Sequence, residues 1–322
     1  MNNHSRRQFL KQTIPPVAGF AMGGWSVASL ACDRDEPAVA TIIDCHTHFY
    51  DPTRPEGVPW PTKDDKLLYR RVLPAEYKAI AKPLGVTGTV VVEASPWVED
   101  NQWVLDLAAK DTFIVGLVGH LAPGGDDFEK RLKRFAKNPL FRGIRIVSAK
   151  LAAGLDQDQF LRDLKLLAEH DLELDANGGP GMLADVARLA KRVPELRVVV
   201  NHLANVRVDG KAPPADWVQG MRAAAEQPSV FCKVSALVEG ATVRDGKAPT
   251  ELGFYVPVLD MAWNAFGEDR LIYGSNWPVS ERFASYATVQ RIVREYFQGK
   301  GRGVAEKFFA RNALAAYKYM QR

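Results

Sequence analysis

Two histidines with one threonine between them, His46 and His48, stand at the end of the run 42–50, "IIDCHTHFY". In a β-strand, residues i and i+2 share a face with Cα atoms ~7 Å apart, so both imidazoles can reach one ion or one substrate atom. Paired histidines at a strand end can also be half-exposed polar residues bonded to backbone, and the spacing leaves both readings open. Other groups able to move a proton, hold an oxyanion or bind an ion recur near the ends of later apolar runs. They are Glu93, His120, Arg145, Asp175 and Asn177, Asn201 and His202, Lys233 and Ser235, and Ser275 and Asn276. Scattered buried polar groups are costly without partners, so this repeated placement points to one shared site.

Such a site needs elements that bring the run ends together. Eight short β-branched or apolar runs read as buried strands: 41–45, 87–94, 113–119, 143–147, 172–176, 196–203, 230–236 and 270–275. Between and after them lie helical patterns at 74–83, 101–110, 128–137, 157–170, 182–193, 215–226, 252–266, 286–298 and 304–320. The alternation predicts an α/β fold, a single (β/α)8 TIM barrel, whose usual size is ~250 residues and whose reactive groups gather at the C-terminal strand ends. A doubly wound open sheet is the rival; it normally needs fewer strands, and no Gly-rich phosphate loop follows the first run. The Pro-rich, charged stretch 51–66 is too polar for a core and is expected as a lid over the mouth.

Composition agrees with a large folded body. The 322 residues are 47% hydrophobic and 25% charged, which excludes disorder and collagen-like repetition. Of the formal net charge of +4, Arg6, Arg7 and Lys11 supply three, and the chain after Cys32 sums to +1. A nearly neutral body offers no electrostatic argument for nucleic acid or an anionic membrane. Cys32, Cys45 and Cys232 are isolated from one another, which suits neither a disulfide scaffold nor a zinc-thiolate site.

Residues 5–11, "SRRQFLK", resemble the bacterial twin-arginine export signal, and an uncharged stretch follows to Ala31. Residues 1–32 are therefore expected to be a processed signal peptide, 33–39 a short linker and 40–322 the barrel. Ser29 and Ala31 form a small-x-small cleavage pattern, which predicts a periplasmic or otherwise exported protein. Cys32 leaves lipid attachment, and thus a membrane contact, as the alternative. The expected partners are a small-molecule substrate and, during export, the twin-arginine translocase.

The segments "IDCHTHFYD", "GIR" at 143–145, "VARLAKRVPELRVVVNHLA" at 186–204, "VFCKVSAL" at 230–237 and "DRLIYGSNWPVS" at 269–280 resemble the amidohydrolase-related TIM-barrel hydrolases. The similar branch holds sugar lactonases and pyrone-dicarboxylate hydrolases, and the likeness spans roughly residues 40–320. It implies a reaction centre at His46, His48, His202 and position 276, with or without a divalent metal, and a substrate contact at Arg145. One departure matters: where the family reads G-S-D-W-P, this chain reads "GSNWP", and the Asn276 amide cannot act as a carboxylate base.

Glu93 can compensate for that loss. The expectation is that the acid has moved from strand eight to strand two, completing a His46, His48, His202 and Glu93 ligand set for Zn, Mn or Fe. The competing expectation pairs Glu93 with Arg145 or Lys233 and involves no metal. In the metal-assisted reading the ion lowers the pKa of its water to ~7, while Glu93 or Asp175 moves the proton. Lys233 can then meet the developing oxyanion, and Trp60, Trp97 and Trp277 can wall the mouth. The function expected is hydrolysis of a small cyclic ester such as a sugar lactone. A metal-dependent decarboxylase or other lyase, and a catalytically silent binding protein, are the alternatives.

Overall fold

Apolar runs that alternate with amphipathic helices bury both faces of a parallel sheet only when helices cover it outside and side chains fill it inside. The computed structural model describes residues 41–322. Its strands are β1 (Ile42–Thr47), β2 (Val86–Val92), β3 (Ile114–Gly119), β4 (Phe141–Val147), β5 (Glu173–Asn177), β6 (Val198–Val200), β7 (Val230–Val234) and β8 (Leu271–Tyr273). They pair in chain order, every pair parallel. The ring is closed just beyond β8, where Asn276 N donates to His46 O at 2.8 Å and His48 N to Trp277 O at 2.9 Å. This is the single (β/α)8 barrel that the alternation predicts.

Two apolar cores follow from the two faces of the strands. Ile43, Cys45, Val90, Val118, Val199, Phe231 and Ile272 pack inside with Tyr317, while a larger cluster, including Ile144, Leu174 and Val198, fills the layer between strands and helices. Each fully buried Leu, Ile or Val side chain contributes ~1.5–3 kcal/mol.

The helices match their predicted positions with two exceptions. A helix at Ser148–Gly154 lies where a loop is expected; seven residues are too few to display a 3.6 period. The predicted helix 304–320 is divided into Arg302–Glu306, a π turn at Lys307–Arg311 and Asn312–Tyr317. The wider turn buries both Phe308 and Phe309, and Phe308 stacks on Phe297 with ring centroids 3.5 Å apart.

The stretch after β1 lies against the barrel mouth. Tyr50 and Val72 exchange backbone hydrogen bonds of 3.0 and 2.9 Å, and Arg54 pairs with Asp100 at 2.9 Å. The expected export signal, cleavage pattern and lipidation cysteine fall outside the described residues.

Candidate active site

The strand ends bring His46, His48 and His202 together. The ring centroids of His46 and His48 lie 5.0 Å apart and those of His46 and His202 4.3 Å apart. Their positions depend on unusual backbone. β6 stops at Val200, and His202, Leu203, Ala204 and Asn205 all take positive φ, between 48° and 58°. For residues other than glycine this left-handed turn costs ~1–2 kcal/mol each, and clusters of it mark functional sites. Trp217 Nε1 holds the turn by donating to Leu203 O at 2.7 Å, and Asn205 Nδ2 by donating to Gly178 O at 2.9 Å. Asn276 also has positive φ, at 60°, which asparagine tolerates better than most residues. The preceding Gly274 lets β8 approach β1, since a Cβ there would lie 2.9 Å from His46 Cβ.

Hydrogen bonds fix two of the imidazole tautomers. The Lys233 ammonium, which can only donate, lies 3.2 Å from His46 Nδ1, so that nitrogen accepts and Nε2 carries the hydrogen. His46 Nε2 is buried and has no partner among the described residues, leaving an N–H free for an incoming oxygen. In His48 the order is reversed: Nδ1 donates to Val92 O at 3.0 Å, so in the neutral ring Nε2 is the acceptor. His202 Nδ1 meets Ser235 Oγ at 2.8 Å.

Burial holds all three rings neutral. His46 and His202 are pushed well below the ordinary histidine range by burial first and by the Lys233 charge second. His48 is pushed down to about 3, again by burial first, with Arg145 next. Lys233 itself donates to Asp175 Oδ2 at 2.8 Å, and Tyr317 donates to Asp175 Oδ1 at 2.9 Å. Asp175 thus serves as the counter-ion of Lys233, the bland alternative to moving the substrate's proton.

Glu93 takes the salt-bridge role. Arg145 Nε donates to its Oε1 at 2.8 Å and Arg145 Nη2 to its carbonyl at 2.9 Å. Burial still raises the Glu93 pKa despite the guanidinium. The expected ligand set of His46, His48, Glu93 and His202 is therefore not assembled, because its only carboxylate is turned to Arg145. Among the described residues no group of three or more His, Cys, Asp or Glu is arranged to hold a metal ion. As they stand, the three imidazoles are not set as a ligand group, and the Lys233 ammonium 3.2 Å from His46 Nδ1 opposes a cation there, so no step below runs through one.

Beside the Glu93–Arg145 pair opens a cleft of about 580 Å³, lined by residues that include His120, Arg145, Lys150, Gln157 and Phe160. Burial and Arg145 lower the His120 pKa. Trp60 sits edge-on to His48 with centroids 5.9 Å apart, as a wall residue should. Trp277 does not wall the mouth: it is fully buried, 6.3 Å from Phe49, and donates to Glu281 Oε1 at 2.7 Å. Trp97 is 39% exposed.

Two acids at the site escaped the sequence reading. Asp44, within β1, is buried and accepts from Tyr77 at 2.7 Å, from Tyr286 at 3.1 Å and from Ser275 N at 2.8 Å, which ties β1 to the segment after β8. Burial nevertheless raises its pKa. Glu239, in the loop after β7, accepts from Asn276 Nδ2 at 2.8 Å, and burial pushes its pKa up to about 7. The available signal was a single acid in the apolar stretch "SALVEGA" just beyond a barrel strand.

The chain matches the family model described as Amidohydrolase over residues 43–319. It is 32% identical over 240 residues to an L-fucono-1,5-lactonase of Burkholderia ambifaria, an alignment covering 74% of this chain and 80% of that protein. It is 29% identical over 269 residues to an L-fucono-1,5-lactonase of Burkholderia multivorans, covering 81% and 90%. Among solved structures, an amidohydrolase from Burkholderia multivorans with bound HEPES superimposes with a TM-score of 0.78 at 25% identity, covering 87% of this chain and all of that one. A crystal form of such an amidohydrolase with bound zinc gives a TM-score of 0.76 at 25% identity, with the same coverage.

Proposed function

This chain belongs to the amidohydrolase family, and we propose that it hydrolyses the ring ester of a small sugar-acid lactone. One observation carries the reading: the unpartnered His46 Nε2–H, in a buried cluster of neutral imidazoles at the C-terminal end of the barrel. A neutral, prepositioned N–H in a water-poor site suits a carbonyl oxygen that becomes an oxyanion. Lys233 keeps that hydrogen on Nε2 by occupying Nδ1, and its charge lies close enough to favour negative charge on the same oxygen. Water adds to the carbonyl carbon, the ring C–O bond breaks, and one water proton ends on the freed ring oxygen as a hydroxyl. The product acid releases the other to solvent. The cleft beside Arg145, with His120, Lys150 and Gln157, offers donors for the sugar hydroxyls, and Trp60 an apolar wall.

A pH-indicator assay over L-fucono-1,5-lactone and other aldonolactones tests the reading, with one proton expected per turnover at neutral pH. Release of CO2 from an aromatic acid would install the lyase alternative, and tight binding without turnover the silent binder. The zinc-bound relative makes a divalent ion, Zn, Mn or Fe, the second reading to check by metal analysis. Activity is expected to survive chelation; a loss restored by zinc would place the ion on His46, His48 and His202. Export is part of the proposal, resting on residues 5–11. Replacing Arg6 and Arg7 by Lys should leave unprocessed protein in the cytoplasm, and undiminished delivery would remove it.

A further inference from the structure

Strand eight ends in an amide where the family pattern has an acid, and the amide lies between two titratable groups. Asn276 Nδ2 is 2.8 Å from Glu239 Oε1, and Asn276 Oδ1 is 3.3 Å from His48 Nε2. Glu239 Oε2 is buried without a partner among the described residues. Among the described residues, the Glu239 charge also acts on the Tyr255 phenol of helix Leu252–Phe266, whose hydroxyl donates to Pro249 O at 2.7 Å. No lysine or arginine pairs with Glu239 among the described residues, so nothing neutralises it.

His48 imposes the constraint. With its Nδ1 donating to Val92 O, Nε2 of the neutral ring accepts, and an amide oxygen facing it leaves two lone pairs opposed. Turning the amide over exchanges O and N without moving its outline. Nδ2 then donates to His48, and Oδ1 faces Glu239, which must be protonated to donate. With Glu239 ionised, Nδ2 must face the carboxylate and Oδ1 is presented to the site as an acceptor. The proton on Glu239 and the orientation of the amide are thus one variable.

We propose that Glu239 replaces the missing strand-eight acid by acting through Asn276, as a positioning residue whose ionisation decides which end of the amide the site sees. In the ionised form Asn276 Oδ1 is the acceptor that orients an O–H of the attacking water. In the protonated form an N–H fills the same place and ties up the His48 lone pair. Burial pushes Glu239 up to about 7, which sets the changeover near neutral pH. The proposal rests on the lactonase reading for its kinetic consequence, not for the existence of the pair.

Glu239→Gln is the test, because the glutamine amide can donate to Asn276 Oδ1 and so imitates the protonated form at every pH. The wild-type kcat should rise with pH through a midpoint near 7. Glu239→Gln should remove that midpoint and lower kcat at pH 8 by at least ~10-fold, the scale of outer-shell partners, with little change in KM. Asn276→Asp alone sets two carboxyls against each other, and one must keep a proton. Combining it with Glu239→Gln returns the acid to strand eight and should raise kcat above that of either single variant. An unchanged profile in Glu239→Gln would overturn the proposal. A readout independent of turnover is the 13C carboxyl resonance of Glu239 in the wild-type protein. A midpoint near 7 supports the pair even if no lactone is a substrate, whereas an ordinary glutamate midpoint defeats it even if lactones are hydrolysed.

Discussion

Asp175 and Glu239 are acids enclosed at one barrel mouth, and the groups around them differ in kind. Asp175, on β5, receives the Lys233 ammonium at 2.8 Å and the Tyr317 hydroxyl at 2.9 Å, and all three residues are fully buried. Glu239, beyond β7, has an amide at one oxygen and, among the described residues, no side-chain partner at the other. Removing water from a carboxylate is tolerable when a cation and hydrogen bonds replace it, and otherwise the group shifts toward its neutral form. The first acid therefore fixes the position of a charge, whereas the second can gain or lose one near neutrality. Glu93 stands between them, paired with Arg145 and each side chain 15% exposed.

The comparison breaks most readily at Lys233. Lys233→Met strips Asp175 of its cation and frees His46 Nδ1, so a cost of ~3–5 kcal/mol is expected in urea unfolding, the range for breaking a buried ion pair. A cost near that of a surface charge would show that the Asp175–Lys233 pair contributes no more than an exposed contact.

Next in size is the pH dependence of stability. The folded state holds the Glu239 proton more tightly than the unfolded chain does. Its stabilising effect is fully present below about 4.5 and is lost as pH rises through about 7. Glu239→Gln should remove this loss, on the order of 2–3 kcal/mol, when melting is compared at pH 5 and pH 8. The buried histidines act with the opposite sign. Their pKa values are lowered, so their contribution is present above the ordinary value of 6.5 and lost as pH falls. Comparing Glu239→Gln with wild type cancels that background, and parallel curves for the two proteins would place Glu239 in water.

The smallest expected effect is at Glu93. Glu93→Gln removes one partly exposed ionic contact of Arg145 and keeps the backbone one, so ~1 kcal/mol of stability is at stake. Metal content and the pH midpoint of activity should not move. A large drop in bound metal would return Glu93 to the ligand role expected from the sequence.

Much of the architecture was written in local pattern. Short β-branched runs alternating with helical periods define the barrel, since each period follows from which faces of an element must be buried. The same pattern placed His46 and His48 at one strand end, with His202, Arg145 and Lys233 at the ends of others. It also exposed the asparagine at 276. What the sequence could not decide is which acid faces which base. Glu93 and Arg145 are 52 positions apart, Asn276 and Glu239 37 apart, and each contact depends on how neighbouring strand ends are set around the ring. The left-handed turn that aims His202 is likewise invisible to propensity, because Leu203 and Ala204 adopt it only under the hold of Trp217 and Asn205. Periodicity reports burial, a local average over many residues; charge state depends on the one or two groups within hydrogen-bond reach, and only the closed barrel determines those.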